Sequence, residues 1–76
     1  MENYLTINEA WADFYGWMQK RKKNGDFDRM PADVQEANYA YTGRRPYGLG
    51  AKRIEALLVK YAPERYEFQS VVIVHE

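Results

Sequence analysis

The chain has no cysteine, one histidine and one serine. Without cysteine there is no disulfide and no thiolate metal site, and the lack fits a reducing compartment. The histidine, His75, stands one residue from the end, and the serine is Ser70. A nucleophile, a base and an orienting group cannot be assembled from these, so no catalytic residue is expected and the chain reads as non-enzymatic. No stretch approaches the roughly 20 apolar residues of a membrane span, and none has the features of a signal peptide. A cytoplasmic chain with no membrane contact is the expectation. Charge of neither sign is in excess, because 11 basic and 11 acidic side chains cancel. That balance argues against a strongly basic nucleic-acid coat and against an acidic nucleic-acid mimic. No internal repeat or low-complexity stretch interrupts the sequence, and its 76 residues allow one domain over 1–76.

A domain of this size buries only about 60% of the surface its unfolded chain exposes. Aromatic residues offset that shortage: two Trp, seven Tyr and three Phe supply large apolar area per side chain. The charges, though balanced, run in blocks. Residues 1–19 carry only Glu2, Glu9 and Asp13, and Lys20, Arg21, Lys22 and Lys23 follow directly. Residues 24–43 are acidic again, 44–65 basic, and the tail acidic, so the surface is expected to carry distinct patches.

Three helices and one strand follow from periodicity. Thr6 and Glu9 have the spacing of a capping box. At 100° per residue Ile7, Ala10, Trp11, Phe14, Tyr15, Trp17 and Met18 share an arc of about 160°. The spacing predicts a helix over 7–23, ended by Asn24-Gly25. Pro31 opens a second helix over 31–41, with Val34, Ala37 and Tyr41 on one face and Tyr39 opposite. Residues 43–50, with Gly43, Pro46, Gly48 and Gly50, form a loop. A third helix over 51–62 buries Ile54, Leu57, Leu58 and Tyr61 and stops before Pro63, leaving Lys52, Arg53 and Lys60 on its other face. Over 65–74, Tyr66, Phe68, Ser70, Val72 and Val74 alternate with Glu67, Gln69, Val71 and Ile73, which predicts a strand. The class is α+β, a three-helix domain closed by a C-terminal strand. A lone strand leaves its backbone groups unpaired. Tyr4-Leu5-Thr6 is the partner available within the chain, and the alternative is a homodimer through an open edge at Val71–Val74.

Few residues suggest chemistry. Asp26 and Asp28 are the one close pair of carboxylates in a turn, where capping and solvation account for them, and no metal or cofactor is expected. Lys20–Lys23 read either as a solvated helix end that complements the dipole or as phosphate contacts. Arg44-Arg45 followed by Tyr47 to Leu58 resembles the hairpin of helix-hairpin-helix DNA-binding modules over about 12 of the 76 residues. Gly48, Leu49 and Gly50 match the turn of that family, Lys52 a basic position after it, and Ile54 and Leu57 its apolar positions. The resemblance implies a DNA phosphate held by backbone N–H groups at a helix N-terminus. Arg44-Arg45-Pro46 departs from the pattern, because the family's first helix runs straight into the turn.

Trp11, Phe14 and Met18 fall mid-stripe and belong to the core, while Tyr15 and Trp17 fall on opposite rims and Tyr39 and Tyr47 off any core face. Rim Trp and Tyr are residues that protein interfaces favour. The leading expectation is a protein-binding module that recruits or inhibits a larger partner through Trp17, Tyr39, Arg44, Arg45, Tyr47 and the edge at Val71 and Ile73. In size and neutral charge the chain is similar to inhibitors of host machinery carried by phages and mobile elements, anti-CRISPR proteins among them. The alternative is a small DNA- or RNA-binding regulator using Arg44, Arg45, Gly48, Gly50, Lys52, Arg53 and Lys60.

Overall fold

Helix formation begins where Thr6 leaves extended backbone (φ −68°, ψ 165°) and turns its side chain onto the first turn. Thr6 Oγ1 accepts the Glu9 N–H at 3.2 Å, and Glu9 Oε1 accepts the Thr6 N–H at 2.9 Å. Two N–H groups that no helical carbonyl reaches are thereby satisfied. In a computed structural model that describes residues 2–44 and 49–75, this cap starts α1, Ile7–Lys23. The helix ends as its sequence predicts. Gly25 adopts φ 92°, its N–H reaches the Lys22 carbonyl, and the Asp26 N–H reaches that of Arg21. Both bonds together make the left-handed stop that glycine permits without a Cβ penalty.

Pro31 precedes α2, Ala32–Tyr39, as its N-cap with φ −54°, so the helix starts one residue later than predicted. It also ends sooner. A wide π-helical turn, Ala40–Arg44, follows and closes at Gly43 with φ 86°. Ala40 is buried, whereas Tyr41 is 38% exposed with its ring centre 6.4 Å from that of Trp11. α3, Ala51–Tyr61, buries Ile54, Leu57 and Leu58 and stops at Ala62-Pro63.

The C-terminal segment corrects the single strand expected over 65–74. It forms a hairpin of β2, Tyr66–Phe68, and β3, Val72–His75, turning at 69–71, where the Gln69 N–H bonds the Val71 carbonyl at 2.9 Å. A further strand, β1, Glu2–Leu5, pairs with the other side of β3, giving an antiparallel sheet of order β1-β3-β2. Thr6 stays outside the pairing because it caps α1. Tyr4, Ile73 and Glu67 lie in register across the three strands, as do Leu5, Val72 and Phe68. β3 is therefore the central strand, hydrogen-bonded on both sides. The expected pairing within the chain is therefore present at Tyr4 and Leu5, and the alternative, an open edge at Val71–Val74, is not: Val71 lies in the turn, and Ile73 is 8% exposed within the paired strand. Val72, Val74 and Tyr66 join Trp11, Phe14, Met18, Val34, Ile54 and Leu58 in one core between sheet and helices.

Candidate protein-binding surface

Of the basic positions on the third helix, two are paired with acids. Lys52 is exposed, but Arg53 Nη2 lies 3.8 Å from Glu36 Oε1 and Lys60 Nζ 2.8 Å from Asp33 Oδ2. Both acids belong to α2, which runs antiparallel to α3 and offsets its cations near the two ends. Arg45, Tyr47 and Gly48 lie outside the described residues, as does the side chain of Arg44. Gly50 is the exposed N-cap of α3 and makes no side-chain cap.

The two aromatic candidates that are described stand apart. Tyr39, 51% exposed, ends α2 beside the start of α3. Trp17 adjoins the other end of α3, sharing a surface hollow with Tyr61, Ala62, Pro63, Glu64 and Arg65. Trp17 has a built surrounding.

That surrounding is tied to one carboxylate oxygen. Tyr66 Oη donates to Asp13 Oδ2 at 2.7 Å and accepts from Arg65 Nε at 3.2 Å, while Arg65 Nη2 donates to the same Asp13 oxygen at 3.2 Å. Burial, and then the Asp13 bond, push the Tyr66 phenol well above its ordinary pKa. Burial alone would lower the Arg65 pKa, but the Tyr66 and Asp13 contacts outweigh it and raise it. The guanidinium so fixed lies 5.5 Å from the centre of the Trp17 ring, and that of Arg21 lies 4.8 Å from it. Arg21 is in turn held by Asp26 at 3.2 Å. Cations over an indole face are attracted by its quadrupole. Trp17 is thus half-buried, packed on Phe14 and clasped by two arginines, each with an acidic anchor.

No protein-family model, curated protein or solved structure matches the chain.

Two hollows adjoin Trp17 and share it and Arg65 as a common wall. One, of about 260 Å³, is lined by Trp17 and by residues 61–65. The other, of about 290 Å³, is lined by Ala12, Asp13, Gly16, Lys20 and the shared pair. Such an arrangement offers shape, a fixed aromatic face and fixed charge. Among the described residues no group of three His, Asp or Glu side chains could hold a metal ion, and no helix is long and apolar enough to cross a membrane. Sequence reasoning singled out Trp17 from its place on the stripe rim. It missed Asp13 and the adjacent pair Arg65 and Tyr66, which lie 52 and 53 residues further along and meet Asp13 only through the fold; no local signal marks them.

Proposed function

We propose that this chain is a non-enzymatic protein-binding module that recruits or inhibits a larger partner, with Trp17 at the centre of its contact surface. The observation that carries the reading is the clasped indole itself. An aromatic ring already fixed by Phe14, Arg21 and Arg65 loses little freedom when a partner covers it. Trp, Tyr and Arg are also the side chains in which binding energy concentrates at protein interfaces. Tyr39 and Tyr41 are further exposed aromatic residues, and Tyr39 stands apart from Trp17. The alternative, a DNA- or RNA-binding regulator, is weakened by the spending of Arg53 and Lys60 on Glu36 and Asp33.

Affinity capture from a native lysate tests the proposal, with wild type and Trp17→Ala compared after circular dichroism has shown both folded. Wild type is expected to retain a protein in stoichiometric amount. Loss of a central Trp anchor costs about 2 kcal/mol or more, so the variant's affinity should drop roughly 30-fold. Equal capture by both chains, or none by wild type, overturns the reading. Retention of nucleic acid in place of protein, falling steeply with added salt, moves the assignment to the alternative.

A further inference from the structure

We propose that the Trp17 surface takes a partner segment in which a large apolar side chain stands next to a carboxylate, the apolar group in the hollow beside Tyr61 and the carboxylate beside Lys20. This rests on the protein-binding reading and adds the chemistry of the partner. The two hollows differ in kind. The one beside Tyr61 is walled by Trp17, Tyr61, Ala62 and Pro63, with Glu64 and Arg65 on its lining, the Arg65 guanidinium being already paired with Asp13. A carboxylate placed there meets the charge of Glu64, whereas an apolar side chain meets rings and methylenes.

The other hollow carries an uncompensated positive charge. Its one acid, Asp13, is already engaged by Tyr66 and Arg65. Lys20, exposed on its wall, has no acidic partner among the described residues. A carboxylate entering beside Lys20 is therefore attracted. Only the Trp17–Arg65 wall divides the hollows, so neighbouring positions of one segment serve both.

Gly16 supplies the way to test close approach. It sits in the interior of α1, where glycine is unfavourable relative to alanine, and a Cβ there meets nothing within 4 Å. No neighbour among the described residues requires it to be glycine, and it lines the Lys20 hollow. An added methyl group fills space that the partner's carboxylate uses while leaving the fold unharmed.

The experiment titrates the ¹⁵N-labelled full chain with two degenerate heptapeptide pools. In one, a central Leu or Phe is followed by Asp or Glu; in the other, by Asn or Gln. The buried Trp11 indole N–H, bonded to Asn38, is the internal reference. The acidic pool is expected to shift the Trp17 indole and the Gly16 and Lys20 amides, at concentrations at least tenfold lower than the amide pool. Lys20→Glu should erase that difference. Gly16→Ala should melt at or above the wild-type temperature yet bind the acidic pool at least tenfold more weakly. Equal response to the two pools, no shift at Trp17 up to millimolar peptide, or unchanged binding by Gly16→Ala overturns the proposal. If the pools fail while Trp17→Ala still loses a captured protein, the partner chemistry is wrong and the protein-binding reading stands. If that capture fails too, both fall.

Discussion

Tyr66 shows how much a single hydroxyl does in a chain this small. Replacing it with Phe keeps the ring in the core but removes the donor to Asp13 and the acceptor for Arg65. Arg65 still reaches Asp13, so the loss is partial, about 1–2 kcal/mol in urea unfolding at pH 7. The pH dependence identifies the cause. The folded-state pKa of Tyr66 is raised, so its contribution is complete below the unfolded value of about 10 and is lost as pH rises toward the folded one. The gap between wild type and Tyr66→Phe should therefore hold up to about pH 9 and narrow as pH rises past about 10; a gap that stays constant above about pH 10 contradicts the assignment. At this scale the sequence showed what a residue is but not what it meets. The rim position of Trp17 and the outward face of Tyr39 were both legible from helical spacing. Arg65 stood at the edge of a predicted strand, and nothing local tied it to an aspartate 52 residues earlier.

Between elements, Asp33 joins the start of α2 to the end of α3. No side chain caps α2, and the Asp33 carboxylate accepts the Val34 N–H at 2.9 Å together with Tyr61 Oη at 2.7 Å and Lys60 Nζ. Burial alone would raise its pKa, but the bonds from Lys60 and Tyr61 outweigh it and hold the carboxyl below its ordinary range. A depressed pKa contributes stability that is present above the unfolded value, about 3.9, and is lost as pH falls through the folded one. Asp33→Asn should cost about 1 kcal/mol at pH 7 through the Tyr61 and Val34 bonds, leaving aside the exposed lysine. Urea midpoints taken down to pH 2.5 should converge for variant and wild type; parallel curves exclude the mechanism. The helices themselves were legible because caps, stripe and stop agree in α1, and stripe and Pro63 agree in α3. The hairpin was not. Its turn, Gln69-Ser70-Val71, has no Gly, Asn, Asp or Pro to mark it. With three residues in the turn, Tyr66 and Phe68 face Val74 and Val72 on the same side of the sheet. The alternation therefore runs through the turn unbroken and reads as one long strand. Beyond α2 the chain leaves α-helical geometry for a π-helical turn, where a 100° wheel no longer applies, and Ala40 is buried while Tyr41 is exposed.

For the whole molecule the decisive fact is that the strand written last lies in the middle. β3 draws on β1 from the first residues and on β2 from its own hairpin, so the sheet closes the chain end to end. Periodicity detected the strand and the accounting of backbone bonds demanded a partner. Tyr4-Leu5-Thr6 was the partner the sequence offered; the strand that forms is Glu2–Leu5, because Thr6 is taken by the cap of α1. A proline at Ile73 separates a central strand from an exposed edge. At an edge it would abolish association between copies and leave the helices intact. In β3 it removes a ladder hydrogen bond and places the rigid ring between two paired strands, at a cost of about 3 kcal/mol or more. A 76-residue domain with one core has little stability to lose. Ile73→Pro is therefore expected to lose helical circular dichroism and sheet together, in one transition shifted far toward low urea. A folded Ile73→Pro monomer with native helix content would mean that β3 is not the strand on which the helices depend.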